Sequence, residues 1–209
     1  MEKNEIKDIL KEYVKYGEKD YFEAITAKKV FGYLKISEDE AQIIKSSPEY
    51  KALKESIGKL KSIYGGIERR CKKDNIENGF NDFVNFYEWH QEQPQEQVNG
   101  KAEKICRYCG TTESNLKKLF KEKDDKTEKK KKPLYSKKRS FTATLQVDRK
   151  NPDEGYNGDN CVLACALCNN AKSDMINYEN FKTYFKKSMQ SFIKDLLSGK
   201  ITNNIGLNK

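Results

Sequence analysis

This sequence is short of several things, and each shortage closes off a class of protein. No run of about 18 apolar residues occurs, so no transmembrane helix is expected. The opening MEKNEIKDIL mixes acidic and basic residues and has no apolar h-region. That argues against a signal peptide and sets the expectation of a cytoplasmic protein. Hydrophobic residues make up 36% of the 209 and charged residues 35%, so the core is expected to be small or divided. Histidine and tryptophan each occur once, as His90 and Trp89. Any step that needs an imidazole therefore has a single residue to draw on. No internal repeat is visible.

Acidic residues are also in deficit, with 32 Asp and Glu against 41 Lys and Arg and a net charge of +9. The excess favours an anionic partner, nucleic acid first and a membrane surface second. A lysine-rich compositional bias gives the same figure, so charge alone does not decide.

What is present in quantity is cysteine, six residues in all. In a cytosolic chain these read as metal ligands before disulfides. Cys106/Cys109 and Cys165/Cys168 form two Cys-x-x-Cys pairs, while Cys161 reads as a buried strand residue and Cys71 stands apart. In CRYCG the glycine lets the chain turn tightly, so that both sulfurs aim at one point. A second pair completes the tetrahedral thiolate shell that zinc prefers, which is worth about 10–16 kcal/mol in apparent terms. The pairs lie farther apart than in most zinc ribbons, and redox or free thiols are the alternative.

Along the chain, residues 1–66 read as helices. Ile6, Ile9, Leu10, Tyr13 and Val14 follow a helical period; Ser37 and Glu40 form a capping box; Ser47 and Pro48 start another helix. Gly65-Gly66 is expected to break that helix. The region is either a helix-turn-helix reader or a small bundle for packing or dimerisation. After IERRCKKDNI and a turn at Asn78-Gly79, Phe80, Phe83, Val84 and Tyr87 make one apolar helix face that ends near His90. Residues 110–140 are expected to be a flexible basic loop, densest over 121–139. FTATLQV alternates as a half-buried strand, NCVLAC reads as a second strand, and a long helix runs from its cap Asn177 to Gly199. Its buried stripe is expected at Phe181, Tyr184, Phe185, Met189, Phe192, Ile193 and Leu196.

Between the cysteine pairs the order is Asp148-Arg149, Gly155-Tyr156 and Asn160, with Asn169 directly after Cys168 in CNNAK. This pattern resembles the HNH, or ββα-metal, endonucleases. More narrowly, VDR…EGY…N…LAC…CN…KS resembles a rare-cutting restriction endonuclease of that family over roughly residues 67–195. The expected fold class is α+β, mostly α: the resemblance implies a zinc-stabilised ββα-metal core, and the helical patterns add an N-terminal helical region and a long C-terminal helix. The resemblance does not reach residues 1–66, which stand as a helical region for packing, dimerisation or DNA contact, and it implies 67–209 as the nuclease domain. It further implies structural zinc on the four paired cysteines, and a magnesium-type ion on Asp148 and Asn169, hard oxygen ligands as that ion requires. Asn160 matches the middle Asn, which holds the loop more often than it touches substrate. Arg149 stands where the family usually has the proton-accepting His, and a guanidinium cannot accept a proton, although it can grip a phosphate oxygen. His90 lies where the resemblance implies the water-activating group, and Tyr156 is the alternative.

The expected partners are double-stranded DNA and a second copy of the chain, with no membrane. Arg69, Arg70, Lys72, Lys73, Lys137, Lys138, Arg139 and Lys172 are expected on backbone phosphates. The expected activity is hydrolysis at a short site, with type II restriction the first reading. A nicking or mobile-element enzyme, or a zinc-held DNA-binding module without catalysis, are the alternatives. The restriction-enzyme pattern carries further cysteines for a second zinc near its N-terminus, whereas here only Cys71 precedes the first knuckle.

Overall fold

The structure is a computed structural model, and it describes residues 34–119 and 143–201 together with Glu5, Asp8, Ile9, Glu12 and Phe31. The basic loop at 121–139, with Lys137, Lys138 and Arg139, lies outside the described residues, as do Ile6, Leu10, Tyr13, Val14, Phe141 and Thr142. The chain forms two compact units, Met1–Lys73 with Phe80–His90, and Asp74–Gly79 with Gln91–Lys209.

The described residues of the first unit are mostly helical. Helix α1 (Glu38–Ser46) opens with the expected capping box: Ser37 Oγ accepts from the Glu40 amide at 3.3 Å, and Glu40 accepts from the Ser37 amide at 3.0 Å. The Ser37 hydroxyl also donates to the Glu40 carboxylate at 2.6 Å, and this bond, with that of the Ser37 amide, holds the carboxyl below its usual range. Ser47 alone separates α1 from α2 (Pro48–Asp74), its hydroxyl donating to Ile44 O at 2.7 Å and accepting from the Tyr50 amide at 3.1 Å. A one-residue link is too short for a helix-turn-helix turn. Phe31, Ala41, Ile44 and Tyr50 form a small core here.

Helix α2 runs straight through Gly65-Gly66, contrary to the expected break. Ile57, Leu60, Tyr64, Ile67 and Cys71 are all buried at alternating spacings of three and four, so the apolar stripe continues past the glycines. Packing of that stripe outweighs the roughly 1 kcal/mol that each glycine costs a helix. Part of the stripe packs on α3 (Phe83–Glu92), where Tyr64 meets Phe83 at 6.0 Å and Phe86 at 5.4 Å. The buried face of α3 is Phe83, Phe86 and Trp89, with Val84 and Tyr87 at its margin, which shifts the expected face by part of a turn.

The second unit holds both hairpins. Strands β1 (Gln95–Val98) and β2 (Lys101–Lys104) pair antiparallel across Asn99-Gly100, both at positive φ (50° and 75°), the geometry of a type I′ turn. Helix α4 (Glu113–Leu119) occupies the start of the stretch expected to be a loop, because Leu116 and Leu119 bury one side of it and Thr112 Oγ1 accepts from the Asn115 amide. Strand β3 (Gln146–Arg149) starts later than the alternation suggested, after a bend at Ala143-Thr144, and pairs antiparallel with β4 (Cys161–Ala164), Asp148 opposite Val162. Helix α5 (Ala166–Lys172) follows and packs on β3, which makes a ββα unit.

The last helix, α6 (Tyr178–Leu197), is capped by Asn177 and stops before Gly199, whose φ is +73°. Tyr178, Phe181, Ile193 and Leu196 are buried, but Tyr184 and Phe185 are exposed, contrary to the expected stripe. Tyr184 falls off the face set by 178, 181, 189, 192 and 196, whereas Phe185 stays on it, stacked on Phe181 at 5.2 Å.

Candidate functional site

The second unit draws its two cysteine pairs together. The Sγ atoms of Cys106, Cys109, Cys165 and Cys168 all lie within 4.8 Å of one another, and all four residues are buried. Each pair is shaped by a local turn. Gly110, at φ +75°, donates to Cys106 O at 2.8 Å, and Cys165 caps α5, its sulfur accepting from the Cys168 amide at 3.4 Å. A zinc tetrahedron with bonds of about 2.3 Å puts its sulfurs about 3.8 Å apart, and Cys109 Sγ lies 3.8 Å from Cys165 Sγ. None of the six cysteines is in a disulfide. Burial alone would raise the Cys106 thiol, yet hydrogen bonds from the converging Cys109, Cys165 and Cys168 bring it well below its usual value. Contacts with Cys106 and Cys109 push Cys165 and Cys168 up. Four sulfurs in so small a space suit a thiophilic divalent cation, and the residues fit zinc.

Beside this cluster lies Asp148, buried on β3. Tyr108 donates its hydroxyl to Asp148 Oδ2 at 2.6 Å, and Lys172 Nζ lies 3.4 Å from Oδ1. Burial raises the Asp148 carboxyl above its usual value, and the Tyr108 bond and the Lys172 charge pull it part of the way back. Burial and the Asp148 charge raise the Tyr108 hydroxyl, so it remains a donor. Two partners leave room on a carboxylate with about four lone-pair sites. Asn169, on α5, donates through Nδ2 to Gln146 Oε1 at 2.7 Å, a bond that does not use its Oδ1. A carboxylate and an amide oxygen are donors that suit magnesium better than softer metals.

Arg149 follows on the strand. Its guanidinium lies 5.2 Å from the Tyr156 ring centre, donates to Glu154 O at 3.2 Å and pairs with the exposed Asp174 at 3.4 Å. Asp174 and Lys172 flank Ser173, whose φ of 49° and ψ of −155° are strained for a residue with a Cβ. The kink sends neighbouring residues to neighbouring targets, Lys172 to Asp148 and Asp174 to Arg149.

Asn160 is spent on the loop between the strands. Its Oδ1 accepts from the Asn151 amide at 2.8 Å, and its Nδ2 donates to Asn151 O at 3.0 Å and Gly155 O at 2.9 Å. Tyr156 is buried, with its backbone bonded to Glu77 and Gly79. Lys172, expected at the DNA backbone, is 1% exposed and faces Asp148, so it is a partner of that carboxylate and not a surface cation. Arg69, Arg70, Lys72 and Lys73 are exposed on α2, around the buried Cys71. His90 is half-buried on α3 in the first unit, its ring 6.2 Å from Phe86 and 6.5 Å from Trp89. Cys161 is buried in β4, as its spacing suggested, and burial pushes its thiol up to about 12.

Two contributors escaped the sequence reading. Tyr108 hides between the cysteines of the first knuckle, where the motif directs attention to sulfur. Gln146 lies two residues before Asp148, on the same strand face, and that period-two relation was the available signal.

Neither a protein-family model nor a curated protein matches this chain. A solved structure does: the chain is similar to the rare-cutting HNH restriction endonuclease PacI, described as exhibiting an extraordinary mechanism of DNA perturbation, at 19% identity over 69% of this chain and 83% of that one, with a TM-score of 0.48.

Proposed function

We propose that the protein is a metal-dependent DNA endonuclease of the HNH type that cuts both strands at a short specific site, in the manner of a type II restriction enzyme. The observation that carries this reading is the ββα unit itself. Its first strand bears a buried carboxylate, its helix bears an amide oxygen set by a neighbour, and a four-cysteine cluster fit for zinc lies at its root.

The reaction is hydrolysis of a phosphodiester: a water oxygen bonds to phosphorus as the bond to the 3′ oxygen breaks. Asp148 and Asn169 supply the hard oxygens for a magnesium-type ion. Bound there, that ion would stabilise charge on the pentavalent phosphorus and the departing oxygen. Tyr108 and Lys172 hold the carboxylate in place. Arg149 grips a phosphate oxygen with its planar fork of donors. Arg149 cannot take the proton of the attacking water, which leaves His90, the chain's one imidazole, as the candidate base. Asn160 keeps the loop after β3 in shape. The exposed cations of α2 and the basic 121–139 segment meet backbone phosphates, so binding falls steeply with salt. A twofold dimer matches a palindromic site and supplies one active site per strand.

Arg149 at the usual position of the base also supports a second reading, a zinc-held DNA-binding module without catalysis. His90→Ala, Asp148→Ala and Asn169→Ala separate the two when cleavage and DNA binding are measured side by side. The nuclease reading expects His90→Ala to lose cleavage by at least about a hundredfold, the usual scale for an acid–base group, and the two ligand variants to lose it with the metal, while DNA affinity changes little. A wild-type protein that binds DNA and cuts none with magnesium or manganese contradicts it.

A further inference from the structure

We propose that Gln146 is a positioning residue that sets which end of the Asn169 amide meets the divalent ion. The inference rests on the metal site proposed above and goes beyond it.

An asparagine amide has two unlike ends. Its oxygen can ligate a hard cation, and its NH2 group cannot. The torsion that exchanges them is broad and roughly twofold, so an unrestrained Asn169 would spend much of its time with nitrogen toward the ion. Gln146 removes that freedom by accepting a hydrogen bond from Asn169 Nδ2 at 2.7 Å. Once the nitrogen is engaged with the strand, the oxygen is the free end.

The placement follows from two periodicities. Gln146 and Asp148 share a face of β3 because they are two residues apart, and Asn169 and Lys172 share a face of α5 because they are three apart. Two cross-pairs result, Gln146 with Asn169 and Asp148 with Lys172. Strand and helix are thus fastened twice, once at each of the two candidate ligands. Gln146 is half-buried and would otherwise be an ordinary polar residue at a strand start.

The opposite pairing, with Gln146 donating to Asn169 Oδ1, would turn the NH2 group toward the ion. Gln146→Glu distinguishes the two, since a carboxylate only accepts. Gln146→Met keeps the length and removes the acceptor. The test is a titration of the full-length, zinc-loaded chain with Mn²⁺ alone, reading free Mn²⁺ by electron paramagnetic resonance, with zinc content and melting temperature as fold controls. Asp148→Ala and Asn169→Ala serve as reference variants.

Gln146→Met is expected to weaken Mn²⁺ binding about tenfold, the low end for an outer partner of a metal ligand. Gln146→Glu is expected to bind at least as well as the unsubstituted protein. Wild-type affinity in Gln146→Met, with Asn169→Ala weakened, overturns the role of Gln146 and leaves the metal site standing. Gln146→Glu binding as poorly as Gln146→Met overturns the direction of the hydrogen bond. Undiminished Mn²⁺ binding in both reference variants overturns the metal site and, with it, the role of Gln146.

Discussion

Tyr108 donates to Asp148 Oδ2 at 2.6 Å from a position between Cys106 and Cys109, the two cysteines of the first knuckle. The turn that aims those sulfurs therefore also fixes the carboxylate of the candidate catalytic site. Tyr108 is itself clamped by α6, with Phe181 edge-on at 4.9 Å and Tyr178 at 5.6 Å.

Tyr108→Phe keeps the ring packing and removes the donor. Asp148 already sits above its usual range because it is buried, and the Tyr108 bond is what most opposes that rise. Without the bond the carboxyl rises further, so metal binding and cleavage should lose their acid limb at a higher pH than in the unsubstituted protein. For the metal-free chain, a raised folded pKa contributes stability on the acid side, which is lost as pH rises through the folded value. Paired pH profiles of Mn²⁺ affinity and of melting temperature should therefore shift together, both toward higher pH.

The cysteines divide into four drawn into one cluster fit to hold zinc and two outside it. Metal analysis is expected to give one zinc per chain, retained in Cys161→Ala and lost in Cys165→Ala. All six thiols are buried, so none should react with a disulfide reagent until a chelator or denaturant is added. Cys161, with its thiol pushed up to about 12, is expected among the last to react.

Gly155 carries no side chain because there is no room for one. A Cβ there would lie 2.5 Å from the Glu77 carbonyl oxygen, where Tyr156 N donates to that oxygen at 2.9 Å and Gly79 N to Tyr156 O at 2.7 Å. Gly155→Ala should cost about 1–3 kcal/mol, the range for overpacking, read as a lowered midpoint in chemical denaturation. It should also loosen Arg149, whose guanidinium rests on the Tyr156 ring.

Asp174 occupies the guanidinium that a phosphate oxygen would need, at 3.4 Å and with its side chain 83% exposed. Pairs so exposed are worth about 0.2–1 kcal/mol, so Asp174→Asn should tighten DNA binding by no more than about fivefold. The gain should shrink as salt rises, which titrations at two ionic strengths would reveal.

The sequence made the ββα unit legible because its signals are local: two cysteine pairs, a strand ending in Asp148 and the cap at Asn177. Where the reading slipped, a long-range contact had overruled a local rule. Gly65-Gly66 did not end α2 because Tyr64 and Ile67 are buried on either side of the pair. Lys172 looked like a phosphate contact because lysines are mostly exposed, and only its placement under Asp148 makes it a buried partner. The Asn99-Gly100 turn was a different kind of miss, since it carries a strong hairpin signal between strands too polar to attract notice. Tyr108 and Gln146 act across gaps of 40 and 23 residues, a relation no local pattern contains.

The central claim is that this chain cuts DNA with a divalent ion on Asp148 and Asn169. Its most direct test is incubation of the zinc-loaded protein with long, mixed-sequence DNA and Mg²⁺, with the resulting ends sequenced. The account predicts discrete ends that share one short palindrome, absent with chelator and absent in Asp148→Ala. Intact DNA across salts and divalent metals, with binding retained, would contradict it and leave a zinc-held DNA-binding protein.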